Sequence, residues 1–451
     1  MDRVPRAGWR VFESSVRRRP RSLLVLLPVL LACLGILLLA ALRAAGGFAD
    51  SGSRSYALIA ESLVRVGVYS LDGATPTAYR PPAYPLFLAA AMALGGERWP
   101  LVALLGQAVI AAACLALTAL TARRVFADPV VTAASTLLVA VNLPFVGETL
   151  TLRETGLFTL LTLLFVLTAL GRPGWLRQAL ALGAVTALAL LTRPSGIVLL
   201  PLAVLVLACR GDLAPAVRAR AVAACLVAFA VCTAPWQLYL QRNFDRFSLT
   251  GTSTSGLNLF KGNHPLMGEL YNLTDVDRAE PAIRELVAAA GHGEGLERWE
   301  ADDHLQRLAK ASILADPGRF VERVVEKAIA FFSPAAVPVG RHGELALEEG
   351  TLVVRAPLVV IGTPWTLYHL FVVPVGLLAL AVAAAVPGRR RWGLCVGALV
   401  AGSALIYAVT FPERRFRYSL EPLLAIAAVG FVVEGVRLRL ERLSPAVATR
   451  G

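Results

Sequence analysis

The chain has 451 residues, 57% of them hydrophobic and only 17% charged. A soluble domain keeps apolar residues below about half and charged ones near a quarter. The net charge of +13 invites a nucleic-acid reading, but the arginines fall in short runs between apolar blocks. No basic stripe with interleaved aromatics is present, which sets nucleic acid aside as a partner.

Residues 1–22 form a basic tail, and Leu23–Leu42 follows as an apolar run long enough to span a bilayer. A cleaved signal has a shorter apolar core and a small-residue cleavage site, so retention as a first transmembrane helix is the expectation, although Ala44-Ala45-Gly46 leaves some room for cleavage. An outer loop spans 43–99. Within it Tyr84–Leu94 is apolar but short, preceded by Pro81-Pro82 and followed by Gly95-Gly96. It is expected to lie in the outer interface or to enter only partway.

Further spans are expected at Leu101–Ala122, Val130–Val146, Thr155–Leu170, Gln178–Leu191, Gly196–Cys209 and Ala221–Leu240, completing an N-terminal transmembrane core over 23–240. A long polar loop, 241–365, comes next, with helices expected at Trp299–Ala315 and Pro317–Phe332. Asp316-Pro317 fits an N-cap followed by proline at the first helical position, and Phe320, Val324, Ala328 and Phe331 are expected to lay the second helix on the membrane. Spans at Thr366–Val386, Trp392–Phe411 and Ser419–Val433 complete residues 366–433, and 434–451 is a second basic tail. The chain is thus expected to be an all-α polytopic membrane protein of about ten helices in a plasma (inner) membrane.

With the N-terminus inside, the links holding Arg123-Arg124, Arg172/Arg177, Arg210/Arg218/Arg220 and Arg389-Arg390-Arg391 all fall inside, as does the C-terminal tail, in accord with the positive-inside rule. Both termini are then cytoplasmic, and the two large loops are extracytoplasmic. The six cysteines, Cys33, Cys114, Cys209, Cys225, Cys232 and Cys395, lie in or at the ends of apolar blocks and read as small buried hydrophobes. The histidines of the long loop, His264, His292, His304 and His342, match no helical zinc spacing. Walker, GxGxxG and GxSxG patterns are absent.

Charges near the outer leaflet are unexplained by the insertion rule and so are functional candidates. Asp50, in FADSGSRSYALIAESL, suits a general base or equally a helix N-cap. Glu148 and Glu154 bracket the next outer turn, where a hydrated turn with Arg153 as counter-ion is the plainer reading. Arg80 precedes a stiff proline segment, Arg193 stands in LLTRPSG, and Arg414, Arg415 and Arg417 stand in FPERRFRYSLEP. Arginines on the face that disfavours them fit a bound phosphate, or else headgroup anchoring.

ADSGSRSYALIAESLVRVGVYSLDGATPTAYRPPAYPLFLAA resembles the first outer loop of the GT-C membrane glycosyltransferases, and most nearly the bacterial family-39-like branch related to protein mannosyltransferases and the aminoarabinose transferase of lipid A. LRETGLF, LTRPSG, PWQLYLQRNFDRFSLTGTSTSGLNLFKGNHP, LADPGRFVERVVEKAIAFFSP and RFRYSLEPLLA follow in family order. The resemblance implies a GT-C-like fold and transfer of a sugar from a polyprenyl-phosphate carrier to an envelope glycan, lipid or protein at the outer face. It places Asp50 at the loop-one catalytic aspartate, Glu154 at the acidic residue of the second outer turn, and Arg80 at a donor-phosphate contact. An acidic residue that some relatives carry just before the arginine is replaced here by Ala78-Tyr79. A metal requirement is not uniform in the superfamily, so no cofactor is assigned and a divalent cation stays open.

On this reading Arg80, Arg193, Arg415 and Arg417 hold the donor phosphate, and Asp50 takes the acceptor's proton during an inverting displacement. Tyr56, Tyr84, Asn258, Asn263 and Tyr418 orient sugar hydroxyls, and Gly251–Asn263 forms a mobile cover. Plain packing is the alternative for each of these. A transporter or flippase of polyprenyl-linked lipid, or a non-catalytic assembly protein with the same fold, is the rival function. Transporters favour inverted repeats and midplane charges, whereas here no repeat is visible and the charges gather at one edge.

Overall fold

A computed structural model describes Gly35 and residues 54–142, 145, 147, 151–172, 174–268, 279–293, 295–332, 344–348, 351–355, 363–413 and 415–443. Leu23–Leu42 apart from Gly35, and Asp50, Glu148, His342 and Arg414, lie outside the described residues. The first outer loop contributes α1 (Arg54–Val66) and α2 (Ala83–Gly95). Helix α1 buries Tyr56, Ile59 and Ala60, one stripe at helical spacing. It stops at Gly67, whose φ of 73° supplies the left-handed residue that closes many helix ends.

Helices α3 (Trp99–Phe126), α4 (Pro129–Ala140), α5 (Thr155–Leu170), α6 (Trp175–Thr192), α7 (Leu199–Ala208) and α8 (Pro215–Phe244) build the first half of the bundle. Asp128 shows how tightly sequence sets these ends. Its carboxylate accepts from the amides of Val130 at 2.7 Å and Val131 at 3.2 Å, with Pro129 at the first helical position.

The long loop folds into α9 (Ser255–Asn263), α10 (Glu280–Ala289), α11 (Trp299–Ala315) and α12 (Pro317–Phe332). An antiparallel hairpin follows, β1 (Glu344–Glu348) and β2 (Thr351–Arg355), with Glu344 opposite Arg355. Helices α13 (Thr363–Ala385) and α14 (Arg390–Val409), a single turn α15 (Arg415–Tyr418) and α16 (Glu421–Leu443) complete the chain. Every residue from 417 to 430 is buried, so the start of α16 is the centre of the bundle, as expected of a helix apolar on all sides.

Helices α5, α11 and α12 have the predicted bounds, and the Asp316 cap is made, its carboxylate accepting from Arg319 N at 2.8 Å. Other expectations need correction. The span expected at Val130–Val146 is interrupted: α4 ends at Ala140, about 18 Å at 1.5 Å per residue and too short for a hydrocarbon core by itself, and Phe145 is helical again after the turn at Val141. Among the described residues, five stretches are long and apolar enough to cross a membrane: 83–126, 175–192, 215–244, 368–385 and 390–409. Shorter apolar helices cover 129–140, 155–170 and 194–208. The exposed apolar stripe of α12 is Val321, Val325 and Ile329, while Phe331 of the stripe expected to meet the membrane is buried. Packing against α14 decides this, because Phe331 stacks on Tyr407 at 5.6 Å. Cys114, Cys225 and Cys395 are buried thiols as expected, but Cys209 is exposed.

Contacts sort the bundle into two ends. Arg437 bridges Asp128, Arg389 bridges Glu434 and lies 4.1 Å over Phe126, Arg210 reaches Gln178 at 2.7 Å, and Arg391 donates to Ala169 O at 2.6 Å. The arginine-rich turns therefore meet at one end. The long-loop helices gather at the other.

Helix α9 is not the loose cover expected of a Gly/Ser/Thr-rich stretch but a helix pinned at both ends. The Asp302 carboxylate accepts from Leu257 N at 2.8 Å. At the far end Lys327 Nζ donates to Gly262 O, Asn263 Oδ1, Val409 O and Thr410 O at 3.0 to 3.2 Å. Only glycine fits at 262, where a Cβ would stand 1.6 Å from Thr410 O. Truncating Asp302→Ala should cost about 1–2 kcal/mol through loss of this cap, read as unfolding in detergent.

Burial pushes the Asp302 carboxyl up to about 6, above the ordinary unfolded value of about 3.9. The folded chain then binds the proton more tightly across that interval. This contribution to stability is greatest below about pH 4 and falls as pH rises through about 6. Wild type should therefore lose stability relative to Asp302→Asn between these limits, measured as Tm against pH.

Candidate active site

At the end opposite the arginine-rich turns, α1, the α4–α5 and α6–α7 connections, α9, α10 and the α14–α15 segment enclose one cavity of about 1020 Å³. Local sequence sets its walls. Proline after Arg193 disfavours helix for the arginine itself. Arg193 is accordingly extended, with φ −151° and ψ 131°, and ends α6 at the cavity wall. Arg80, before Pro81-Pro82, is likewise held outside a helix. Its carbonyl accepts from Tyr69 Oη at 2.9 Å, and Tyr239 Oη donates to Thr77 O at 3.0 Å and Tyr69 O at 3.1 Å. Asp72 stiffens the same loop by accepting from Ala74 and Thr75 amides at 2.9 and 2.8 Å, and hydrogen bonds, first from Ser70, hold its carboxyl well below the usual range.

Glu154, at the start of α5, is buried. Its Oε1 accepts from both Nε and Nη2 of Arg193, at 3.1 and 2.7 Å, and Arg193 also donates to Thr155 Oγ1 at 3.1 Å. Burial alone would raise the Glu154 carboxyl, but Arg193, then Arg415 and Arg80, hold it below the ordinary range. A carboxylate so held orients a guanidinium and is poorly suited to take up protons. Burial, with Glu154 beside it, pushes the Tyr56 phenol well up, so Tyr56 stands as a neutral hydroxyl.

The arginines lie on aromatic faces. Arg193 is 4.9 Å from the Phe158 ring and 5.2 Å from Phe416, and Arg415 is 5.4 Å from the same Phe416. Phe416 stacks on Tyr407 at 4.3 Å, and Tyr407 Oη donates to Ser195 Oγ at 2.7 Å. Arg80 lies between Tyr56 and Tyr79, at 4.8 and 4.7 Å, and donates to Ser55 Oγ at 3.0 Å. Such contacts fix a guanidinium plane while leaving charge for a ligand. Seven arginine or lysine side chains line the cavity against four glutamates, so its field favours an anion.

The structure thus gathers Arg80, Glu154, Arg193, Arg415, Tyr56, Asn258 and Tyr418 around one space. Three of the predicted residues stand elsewhere. Tyr84 is behind Tyr56, its hydroxyl donating to Gln107 Oε1 at 2.6 Å, while Gln107 donates to Thr151 O at 2.6 Å. Asn263 belongs to the Lys327 clip, with Nδ2 donating to Val409 O at 2.9 Å. Arg417 is fully buried, donating to Phe331 O at 2.6 Å and Glu421 at 3.2 Å. Glu421 also meets His369 at 3.1 Å and the Asn142 amide.

Sequence reasoning missed Tyr407, Phe416, Lys261, Glu280, Arg284 and Glu297 at the cavity wall. The Glu280–Arg284 spacing at i,i+4 was a visible signal, since such residues share a helix face. No three His, Cys, Asp or Glu side chains come together as a metal cluster among the described residues.

Residues 79–239 match the family described as dolichyl-phosphate-mannose-protein mannosyltransferase. No curated protein matches the chain in sequence. Among solved structures, the oligosaccharyltransferase AglB of Archaeoglobus fulgidus, in complex with an inhibitory peptide and a dolichol-phosphate, is similar over 93% of this chain at 16% identity and a TM-score of 0.50. The same organism's oligosaccharyltransferase in the apo form is similar at 14% identity over 93% of this chain, again with a TM-score of 0.50. This chain covers 52% of each of those two, so it spans about half their length. ArnT of Cupriavidus metallidurans bound to undecaprenyl phosphate is similar at 14% identity over 99% of this chain and 81% of that one, with a TM-score of 0.37. The chain shares the fold of the two Archaeoglobus fulgidus oligosaccharyltransferase structures.

Proposed function

From the GT-C fold and the cationic cavity, we propose that the protein is a membrane glycosyltransferase moving a sugar from a polyprenyl-phosphate-linked donor to an envelope acceptor at the extracytoplasmic face. The observation that carries this reading is the convergence of Arg80, Arg193 and Arg415 on one cavity, where Glu154 pairs with Arg193 at 2.7 Å and Glu413 pairs with Arg415 at 2.7 Å. The dolichol-phosphate in the archaeal oligosaccharyltransferase supports the donor class.

In this mechanism the anomeric carbon loses its bond to the phosphate oxygen as the acceptor hydroxyl attacks from the opposite face, giving inversion. Charge accumulates on the leaving phosphate, and guanidinium groups held on Tyr56, Tyr79 and Phe416 stabilise it without reorganising. Glu154 positions Arg193. Asp50, four residues before Arg54 of the cavity wall, takes the acceptor's proton. Tyr56, Asn258 and Tyr418 orient sugar hydroxyls.

The test is release of free polyprenyl phosphate by protein in nanodiscs, given a panel of polyprenyl-phosphate sugars and candidate acceptors. Release with one donor–acceptor pair is the expected result. Donor binding without release from any pair overturns it in favour of a carrier-lipid transporter or an assembly protein.

A further inference from the structure

The arginines at the far end of the bundle fall into two groups. Arg210 holds Asp212 at 2.6 Å, Arg389 holds Glu434, and Arg437 holds Asp128. Arg124, Arg172 and Arg177 are exposed and have no salt-bridge partner among the described residues. Asp212, the carboxylate that senses Arg172, is already engaged by Arg210. Yet these three arginines come from three elements, the end of α3, the α5–α6 turn and the first turn of α6, and border one cavity of about 530 Å³. Insertion topology alone requires cations at this end. It does not require them to converge from three elements on a single recess.

We propose that this recess binds the phosphate ester of an anionic membrane lipid. Three guanidiniums offer forked donors that match phosphate oxygens. The remaining wall is suited to an acyl chain, because Leu167 and Ala181 line it, and Leu120, Leu176 and Leu180 stand exposed on the neighbouring faces of α3 and α6. A soluble anion would gain nothing from those apolar groups, whereas a lipid covers them. The site is separate from the donor cavity. Glu154 precedes α5 and Arg172 follows it, so the helix of 16 residues sets them about 24 Å apart along its axis.

The test is retention of lipid by protein purified from phosphatidylglycerol-containing or phosphatidylcholine-only nanodiscs, counted by native mass spectrometry. Wild type and the control Arg220→Gln/Arg439→Gln should keep one phosphatidylglycerol that resists delipidation. Arg124→Gln/Arg172→Gln/Arg177→Gln should lose it, with affinity weaker by about a hundredfold. Equal retention by the triple variant overturns the proposal. So does stabilisation of the phosphatidylcholine form by millimolar inorganic phosphate to the same Tm as phosphatidylglycerol, which would assign the recess to a soluble anion. Photoactivatable phosphatidylglycerol on wild type gives an answer independent of the variants: labelling within residues 167–181 upholds the site, and labelling confined elsewhere refutes it.

Discussion

Asp50→Asn is expected to lower sugar transfer by about a hundred- to ten-thousandfold, the usual contribution of a general base, while donor binding stays as in wild type. The asparagine keeps the shape and hydrogen bonding of the side chain and removes only its ability to take a proton. Arg80→Ala and Arg415→Ala should behave differently. Each removes a charge-assisted contact of about 1.5–3 kcal/mol, so donor affinity should fall by about ten- to a hundredfold and carry transfer down with it. The measurement is polyprenyl-phosphate release alongside donor binding for each variant. Equal turnover by Asp50→Asn would remove Asp50 from the mechanism and leave the arginine cavity standing.

Arg193→Ala should destabilise the protein by about 3–5 kcal/mol, because it strands the Glu154 carboxylate without its partner. The two side chains are only 5% and 6% exposed, so solvent cannot replace the missing charge. Glu154→Leu combined with Arg193→Met should restore stability close to wild type, since a buried ion pair is commonly no better for stability than apolar residues of similar volume. The same double variant should still lose transfer, because the cavity keeps its shape but has lost the oriented guanidinium. Unfolding in detergent read beside polyprenyl-phosphate release separates the two effects. A double variant that is stable and fully active would show that the pair serves folding alone.

Much of the architecture was legible in the sequence because membrane helices carry their own instructions. A helix must satisfy its backbone internally in lipid, so apolar length delimits α5, while in the long loop the Asp316 cap and Pro317 set where α11 ends and α12 begins. Arg80 and Arg193 were legible for a related reason. Each stands before a proline, and that local rule alone takes them out of a helix at the boundary.

What sequence could not decide was which side chains share a space. Arg415 and Arg417 are two residues apart in one short turn, yet Arg415 lines the cavity and Arg417 is buried against Phe331 O and Glu421. Asn258 and Asn263 lie on the same helix, but only the first faces the cavity, because Lys327 and Val409 claim the second. Tyr56 and Tyr84 meet edge-on at 5.1 Å, and Gln107 takes the hydroxyl of the latter. By itself, then, the sequence determined the helices, the segregation of arginines and the residue types that could hold a phosphate. The tertiary structure decided which of them share the cavity, since neighbours far apart in the chain consume the hydrogen-bonding capacity of some polar groups and leave that of others facing it.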